Sequence, residues 1–320
     1  MMSAGDNSPV TGAAFAALAD WGTSNFRLWL VDRSGAVLAE RQSGEGMGTI
    51  ANPAGFSDVL EGHLQALAAP VGLPVAIAGM AGARTGWIEA PYLTAPADLR
   101  ALYQGAVRAP SDHRKAFILP GVCQREPLPY DVMRGEETQL AGAVFAGKDS
   151  GLFCMPGTHS KWVLLNQGVI EQFATVMTGE LFDLISKQSI LRLSMAGAER
   201  SGAEHPAFVA AAKEAMEPGF SITARLFSIR ASGLLSGATA TDAAARLSGL
   251  LIGAEVAAMR HLVPTGGTVR IVASESLTGL YSAALAASGL SAEPLDGSAL
   301  VRSGLFAAAT ALFANQNTDV

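Results

Sequence analysis

Apolar-rich runs over 15–21, 26–32 and 36–42, broken by polar residues such as Asp20, Arg27 and Glu40, predict three strands joined by tight turns, with Ser34-Gly35 at the second turn. An Ala/Leu-rich stretch over 54–69 follows Asn52-Pro53 and stops before Pro70, which predicts a helix. "PVAIAGMAG" is expected to form a buried strand that runs into a glycine loop, and "AFILPGV" (116–122) another buried strand. "RGEETQLAGAVFAG" (134–147) has two acids in what would be a helical first turn, where the helix dipole favours them.

The pattern then starts again. "GLFCMPGTHSKWVLLNQGVIEQFATVM" predicts a strand, a Gly-Thr turn, a strand, an Asn-Gln-Gly turn and a third strand. Long Ala/Leu-rich helical segments over about 179–263 follow, then a strand at 269–274 and helices at 276–289 and about 300–314. Gly22-Thr23-Ser24 and Gly157-Thr158-His159 lie 135 residues apart, each between hydrophobic strands and each followed by a base, Arg27 or Lys161. As a sequence repeat the match is short. As an arrangement it predicts two similar domains, 13–148 and 149–320, facing one cleft.

Composition narrows the picture. With 320 residues, 49% hydrophobic and 16% charged, the chain can bury a sizeable core in one large or two medium domains. The formal net charge of −6 and the lack of a Lys/Arg run give no support for nucleic acid or an anionic membrane as partner. Two cysteines, Cys123 and Cys154, make no disulfide framework and no metal-spaced pair, and the five histidines have no close ligand spacing. No apolar run approaches a membrane span, so a cytoplasmic protein is expected, with residues 1–12 as a flexible leader.

A phosphate is held by backbone N–H groups, hydroxyls and a cation, with no side chain blocking close approach. Gly22, Thr23, Ser24 and Arg27 offer that set in the first turn, and Gly157, Thr158, His159 and Lys161 in the second. One Gly-Thr turn is ordinary hairpin chemistry. Two in matched contexts suggest a polyphosphate clamp, with Asp20 holding a hydrated Mg²⁺. Phosphoryl transfer also needs a proton acceptor, and Glu136 and Glu137 stand just before the second half of the chain. Adjacent acids on a helix point apart, so at most one is expected to face a ligand, although first-turn acids are also common capping residues. "SGEGMGT" places Glu45 between glycines, and the 79–99 excursion carries Arg84, Trp87 and Tyr92, where Arg84 could pair with a carboxylate.

"DWGTSNFRLWLVD", "GMAGARTGWIEAPY", "PGVCQREPLPYDVMRGEETQL", "PGTHSKWV", "TVMTGELFDLI" and "IVASESLTGLYSAAL" together closely resemble the 2-dehydro-3-deoxygalactonokinase family across nearly the whole chain. The resemblance implies a two-domain α/β fold of the actin/hexokinase (ribonuclease H-like) type, with a mixed sheet in each domain and an interdomain cleft. It implies transfer of phosphate from ATP, with Mg²⁺, to the C6 hydroxyl of 2-dehydro-3-deoxy-D-galactonate. The N-terminal domain would then bind the sugar acid and carry the first phosphate hairpin, and the C-terminal domain would bind the nucleotide. By analogy, Gly253, Ser274 and Glu275 fall in adenosine-binding segments, and Glu136 is favoured over Glu137 as the base. The sugar acid is expected to meet Glu45, Gly79, Met80, Arg84, Trp87, Tyr92, Arg134, Thr178, Gly179 and Glu180. "GEET" also resembles a segment of exopolyphosphatases of this fold, so a phosphohydrolase and a non-catalytic sugar-acid sensor are the alternatives. The sequence leaves a homodimer open.

Overall fold

The computed structural model describes residues 13–126, 129–263 and 267–314. The expected leader at 1–12 lies outside them. In chain order the strands are β1 (Ala16–Trp21), β2 (Phe26–Val31), β3 (Val37–Ser43), β4 (Val75–Gly79), β5 (Tyr92–Thr94), β6 (Ala97–Asp98), β7 (Val107–Arg108), β8 (Ala116–Ile118), β9 (Gly121–Gln124), β10 (Asp131–Met133), β11 (Gly151–Met155), β12 (Ser160–Asn166), β13 (Val169–Val176), β14 (Thr268–Val272) and β15 (Ser291–Leu295). The α-helices are α1 (Gly55–Ala66), α2 (Glu136–Phe145), α3 (Thr178–Gln188), α4 (Pro206–Ala215), α5 (Ile222–Leu235), α6 (Ala240–Met259), α7 (Glu275–Ala287) and α8 (Gly297–Phe313).

The chain forms two compact units. The first comprises residues up to 149, 167–169 and 298 onward; the second comprises 150–166 and 170–297. A single cut at 148/149 would put α8 in the second unit, but its residues from 298 on pack in the first. Gly304 there lies so close to α2 that a Cβ would sit 2.1 Å from the Thr138 carbonyl oxygen, and a Cβ on Gly142 would meet the Leu300 carbonyl oxygen at 1.9 Å. Glycines at both contacts let the two helix backbones touch.

The strand order is β3-β2-β1-β4-β8-β7 in the first unit and β15-β14-β11-β12-β13 in the second. In each, an antiparallel hairpin (β1–β2, β11–β12) is extended on its first-strand side by parallel strands: β4 then β8 in one, β14 then β15 in the other. The restart seen in the sequence is therefore a repeat of topology. Strands buried on both faces explain the continuous apolar runs, as in β4, where every residue is buried. The 79–99 excursion contributes β5 to a small sheet, β10-β9-β5.

Each unit has its own core. Trp21, Phe26, Phe56, Leu60, Ile77 and Trp87 pack in the first; Cys154, Trp162, Phe208, Ile252, Val256 and Tyr281 pack in the second. Helix α1 begins where Asn52 Oδ1 accepts from the backbone N–H groups of Ala54 and Gly55, which satisfies donors left over at the helix start. Among the described residues, no helix is long and apolar enough to cross a membrane.

Candidate active site

The first hairpin ends the β1–β2 ladder with Asp20 paired to Arg27 and Trp21 to Phe26. The Gly22 N–H donates to the Asn25 carbonyl at 2.9 Å, which closes the turn and leaves Thr23 and Ser24 exposed at its tip. Arg27 donates from Nε to Asp20 Oδ2 at 3.0 Å, and its Nη2 contacts the same oxygen. The two residues meant for metal and phosphate thus meet each other, and both line an open cavity of about 350 Å³ with Gly22, Asn25, Gln42 and Ser43.

The glycine loop after β3 lies on this hairpin. Met47 and Gly48 donate their N–H groups to the carbonyls of Gly22 and Thr23, each at 2.9 Å. A Cβ on Gly46 would sit 2.4 Å from the Thr23 carbonyl oxygen, so only glycine permits the approach. Glu45 is fixed here through its backbone oxygen, which accepts from Trp21 Nε1 at 3.0 Å.

Gly79 ends β4 at φ +92°, and a Cβ there would lie 2.7 Å from the Trp21 carbonyl oxygen and 3.5 Å from Asp20 Oδ1. Gly135, with φ +110°, precedes α2, and its own Cβ position is 3.6 Å from the Gly79 Cα. The start of α2 is thereby brought to the Asp20 end of the hairpin. Glu136 Oε2 accepts from the Arg134 N–H at 3.2 Å and the side chain is partly exposed. Glu137 is 1% exposed, and both its oxygens accept from the Gly135 N–H, at 2.9 and 2.8 Å.

Burial, reinforced by the neighbouring Glu136 charge, pushes the Glu137 carboxyl up to about 8 from an ordinary value of 4.5. The folded protein therefore holds this proton between those values, where the unfolded chain has released it. The stability this confers is complete below about 4.5 and is lost as pH rises through 8. Urea melts are expected to show stability falling by about 1 kcal/mol per pH unit across this window, from Glu137 alone. Glu137→Gln is expected to flatten that dependence.

Arg134 lies over the half-exposed Tyr92 ring at 4.4 Å and donates from Nη2 to the Ala90 carbonyl at 2.8 Å. Its Nε and Nη1 are buried and meet no acceptor among the described residues. Met80 opens the short 3₁₀ turn that follows β4, and Arg84 is exposed beyond it. Trp87, expected beside the sugar acid, lies in the core of the first unit. It is 4% exposed, stacked on Phe56 at 6.0 Å and set edge-on to Trp21, because a large apolar ring gains more from the core than from a polar loop.

In the second unit, hairpin residues 157–159 meet the start of α3. The Glu180 N–H donates to the Thr158 carbonyl at 2.9 Å, and a Cβ on Gly179 would be 2.3 Å from the Gly157 carbonyl oxygen. His159 Nε2 and Glu180 Oε2 are 2.5 Å apart. Thr178, Gly179 and Glu180, expected beside the sugar acid, are thus assembled with the phosphate-type hairpin. Lys161 is buried on β12, with its Nζ donating to the His159 carbonyl at 3.2 Å. Gly157 has open space where a side chain would be, with only the His159 oxygen at 3.9 Å.

Ser274 and Glu275 are exposed at the start of α7, just past the C-terminal end of β14. Gly253, expected in an adenosine-binding segment, lies on α6. It faces α4, where a Cβ would be 2.6 Å from the Ala212 carbonyl oxygen, so its lack of a side chain lets the two helices pack closely.

Sequence reasoning passed over Glu255, the hub beneath the second hairpin. Its Oε1 accepts from Trp162 Nε1 and its Oε2 from the Tyr281 hydroxyl, both at 2.7 Å, and the Thr178 and Ser160 hydroxyls also bond it. Burial raises its pKa, and burial with the Glu255 charge raises those of Cys154 and Tyr281. Its only sequence signal is a lone acid in the apolar helix "GLLIGAEVAAM".

Two sheets of matched strand order, each opening on a Gly-Thr hairpin, make this a two-domain α/β protein of the actin/hexokinase-like class. The activator of 2-hydroxyisocaproyl-CoA dehydratase from Clostridium difficile, solved with bound ADPNP, shares that fold at a TM-score of 0.53 and 13% identity, over 95% of this chain and 98% of that one. The family model for 2-keto-3-deoxy-galactonokinase matches residues 20–308. A Rhizobium meliloti (strain 1021) protein described as a probable 2-dehydro-3-deoxygalactonokinase, DgoK1, is 48% identical over 95% of this chain and 99% of its own. The 2-dehydro-3-deoxygalactonokinase of Escherichia coli (strain K12) is 36% identical over 89% and 94%. A crystal structure from Sinorhizobium meliloti with the same assignment superposes at a TM-score of 0.88, with 48% identity, over 93% of this chain and 97% of that one. The chain belongs to the 2-keto-3-deoxy-galactonokinase family, a family of sugar-acid kinases.

Proposed function

We propose that this chain transfers the γ-phosphoryl group of ATP to the C6 hydroxyl of 2-dehydro-3-deoxy-D-galactonate. The observation that carries the reading is the meeting, within the first unit, of the Asp20 end of the hairpin, Gly79 and the Glu136-bearing start of α2. Glu136 takes the hydroxyl proton as the C6 oxygen bonds phosphorus and the bond to the departing ADP breaks. Glu137 is the poorer base, since it keeps its own proton up to about 8 and both its oxygens are occupied by the Gly135 N–H.

The two Gly-Thr hairpins are the proposed phosphate holders, with Thr23, Ser24 and Thr158 exposed and open space over Gly157. Lys161 and Arg27 supply cationic charge to them. The start of α7, at Ser274 and Glu275, is the proposed adenosine side. Asp20 fits a Mg²⁺ held through water, because a hard cation wants oxygen donors and Arg27 engages only one carboxylate oxygen in the bonds described. When bound, the ion neutralises phosphate charge.

For the substrate carboxylate, the unmet Nε and Nη1 donors favour Arg134 over the exposed Arg84, with Tyr92 as the cover that must move aside. Initial rates of ADP formation with a panel of 2-keto-3-deoxy sugar acids test the function: the galactonate-derived acid should be turned over, and ATP use with none of them would refute it. Arg134→Met is expected to raise KM for the sugar acid roughly 10- to 100-fold, with KM for ATP little changed, whereas Arg84→Met should have little effect.

A further inference from the structure

His63 on α1 is a buried imidazole that the catalytic scheme does not use, and it sits in a chain of hydrogen bonds. On one side Arg41 Nε donates to its Nδ1 at 2.8 Å. Because Nδ1 is the acceptor, the ring proton resides on Nε2. That nitrogen faces Glu45 Oε2 at 2.9 Å and the Ser43 hydroxyl at 3.3 Å. The ring is also stacked on Phe26 at 4.7 Å, so it cannot turn freely. Burial and Arg41 depress its pKa against the opposing pull of Glu45, which agrees with a neutral ring that donates through Nε2.

The output of this buried arrangement is a side chain in solvent: Glu45 is 53% exposed. Its backbone is pinned by Trp21 and its loop is pressed onto the Thr23 carbonyl. A surface carboxylate with no task does not require a buried neutral imidazole behind it, since water would solvate it at no ordering cost. An anionic acceptor held beside a phosphate-type hairpin suits a hydroxyl donor and repels a phosphate or carboxylate.

We propose that His63, locked by Arg41, is a positioning residue that aims the Glu45 carboxylate at a hydroxyl group of the sugar acid. This rests on the sugar-acid kinase reading above and adds the device by which the polyol portion is recognised.

The test is steady-state kinetics on the full chain, varying the sugar acid at saturating ATP and then ATP at saturating sugar acid. Glu45→Gln and His63→Leu are each expected to raise KM for the sugar acid about tenfold, with KM for ATP within about twofold. The double variant should be no worse than Glu45→Gln alone, because both changes remove one interaction. His63→Gln, whose amide N–H can replace Nε2, should restore most of the loss. The exposed Arg41→Met, which frees the ring to change tautomer, should raise the same KM about threefold. An unchanged sugar-acid KM, an equal rise for ATP or additive effects would overturn the proposal. If His63→Leu does not fold, Arg41→Met and Glu45→Gln decide by the same criteria. Wild-type turnover with a flat sugar-acid KM across the variants sinks this inference alone, whereas no wild-type turnover removes the kinase reading and this one with it.

Discussion

Glu136→Gln is expected to lower kcat by roughly 10²–10⁴-fold while KM for ATP stays near the wild-type value. The amide matches the carboxylate in size and still accepts a hydrogen bond from the Arg134 N–H, so the start of α2 should survive. What is lost is the capacity to take a proton from the attacking hydroxyl. Glu137→Gln provides the contrast. Its carboxyl is already protonated through much of the neutral range, so an amide there should keep most of the turnover and change mainly the pH dependence of stability. Rapid-quench measurement of the first turnover separates chemistry from product release. Full single-turnover rates in Glu136→Gln would remove it as the base, and a collapse in Glu137→Gln alone would transfer the role to its neighbour.

The parts of the molecule written in local pattern were legible from sequence. Apolar runs and Gly-Thr turns marked the β1–β2 and β11–β12 hairpins, and the matched placement of Gly22 and Gly157 anticipated two sheets of like topology. Asn52-Pro53 and the paired acids marked the starts of α1 and α2. Strand β15 escaped because "SAEPL" is polar and holds Pro294, which an edge strand tolerates and a central one does not. The placement of most of α8 in the first unit has no local signal; it depends on helix backbones meeting at Gly142 and Gly304.

Site residues divide the same way. Trp87 and Gly253 show an ambiguity, because an aromatic in a polar loop and a glycine in a helix serve a ligand or a core equally well in one dimension; in the fold the first is buried and the second lies against α4. His63 and Glu255 were passed over for the converse reason. A polar residue on a helix reads as its solvent face until the packing of other elements places partners around it. In both cases the partners come from distant segments: Arg41 and Glu45 for His63, and Trp162, Thr178 and Tyr281 for Glu255.

Glu255→Ala is expected to destabilise the protein by about 3–5 kcal/mol, the cost typical of removing one partner from a buried charged network. The Trp162 indole N–H and the Thr178 hydroxyl would lose this acceptor, and the Tyr281 and Ser160 hydroxyls, 2.9 Å apart, would be left with each other. Glu255→Gln should be far milder, at about 1–2 kcal/mol, and the reason lies in the donors themselves. An indole N–H can only donate, so the amide oxygen must turn toward Trp162. The three hydroxyls can rotate to accept as well as donate, so the amide NH₂ can face them. Trp162→Phe should then relieve part of the Glu255→Ala cost, because one stranded donor is gone, and a double-mutant cycle by urea denaturation would measure that coupling. Additive losses would mean the network does not act as a unit. Since Ser160 and Thr178 flank the second hairpin, the folded fraction of Glu255→Ala is also expected to bind ATP more weakly, with sugar-acid KM little changed. An ATP KM that is normal in the folded fraction would confine Glu255 to stability.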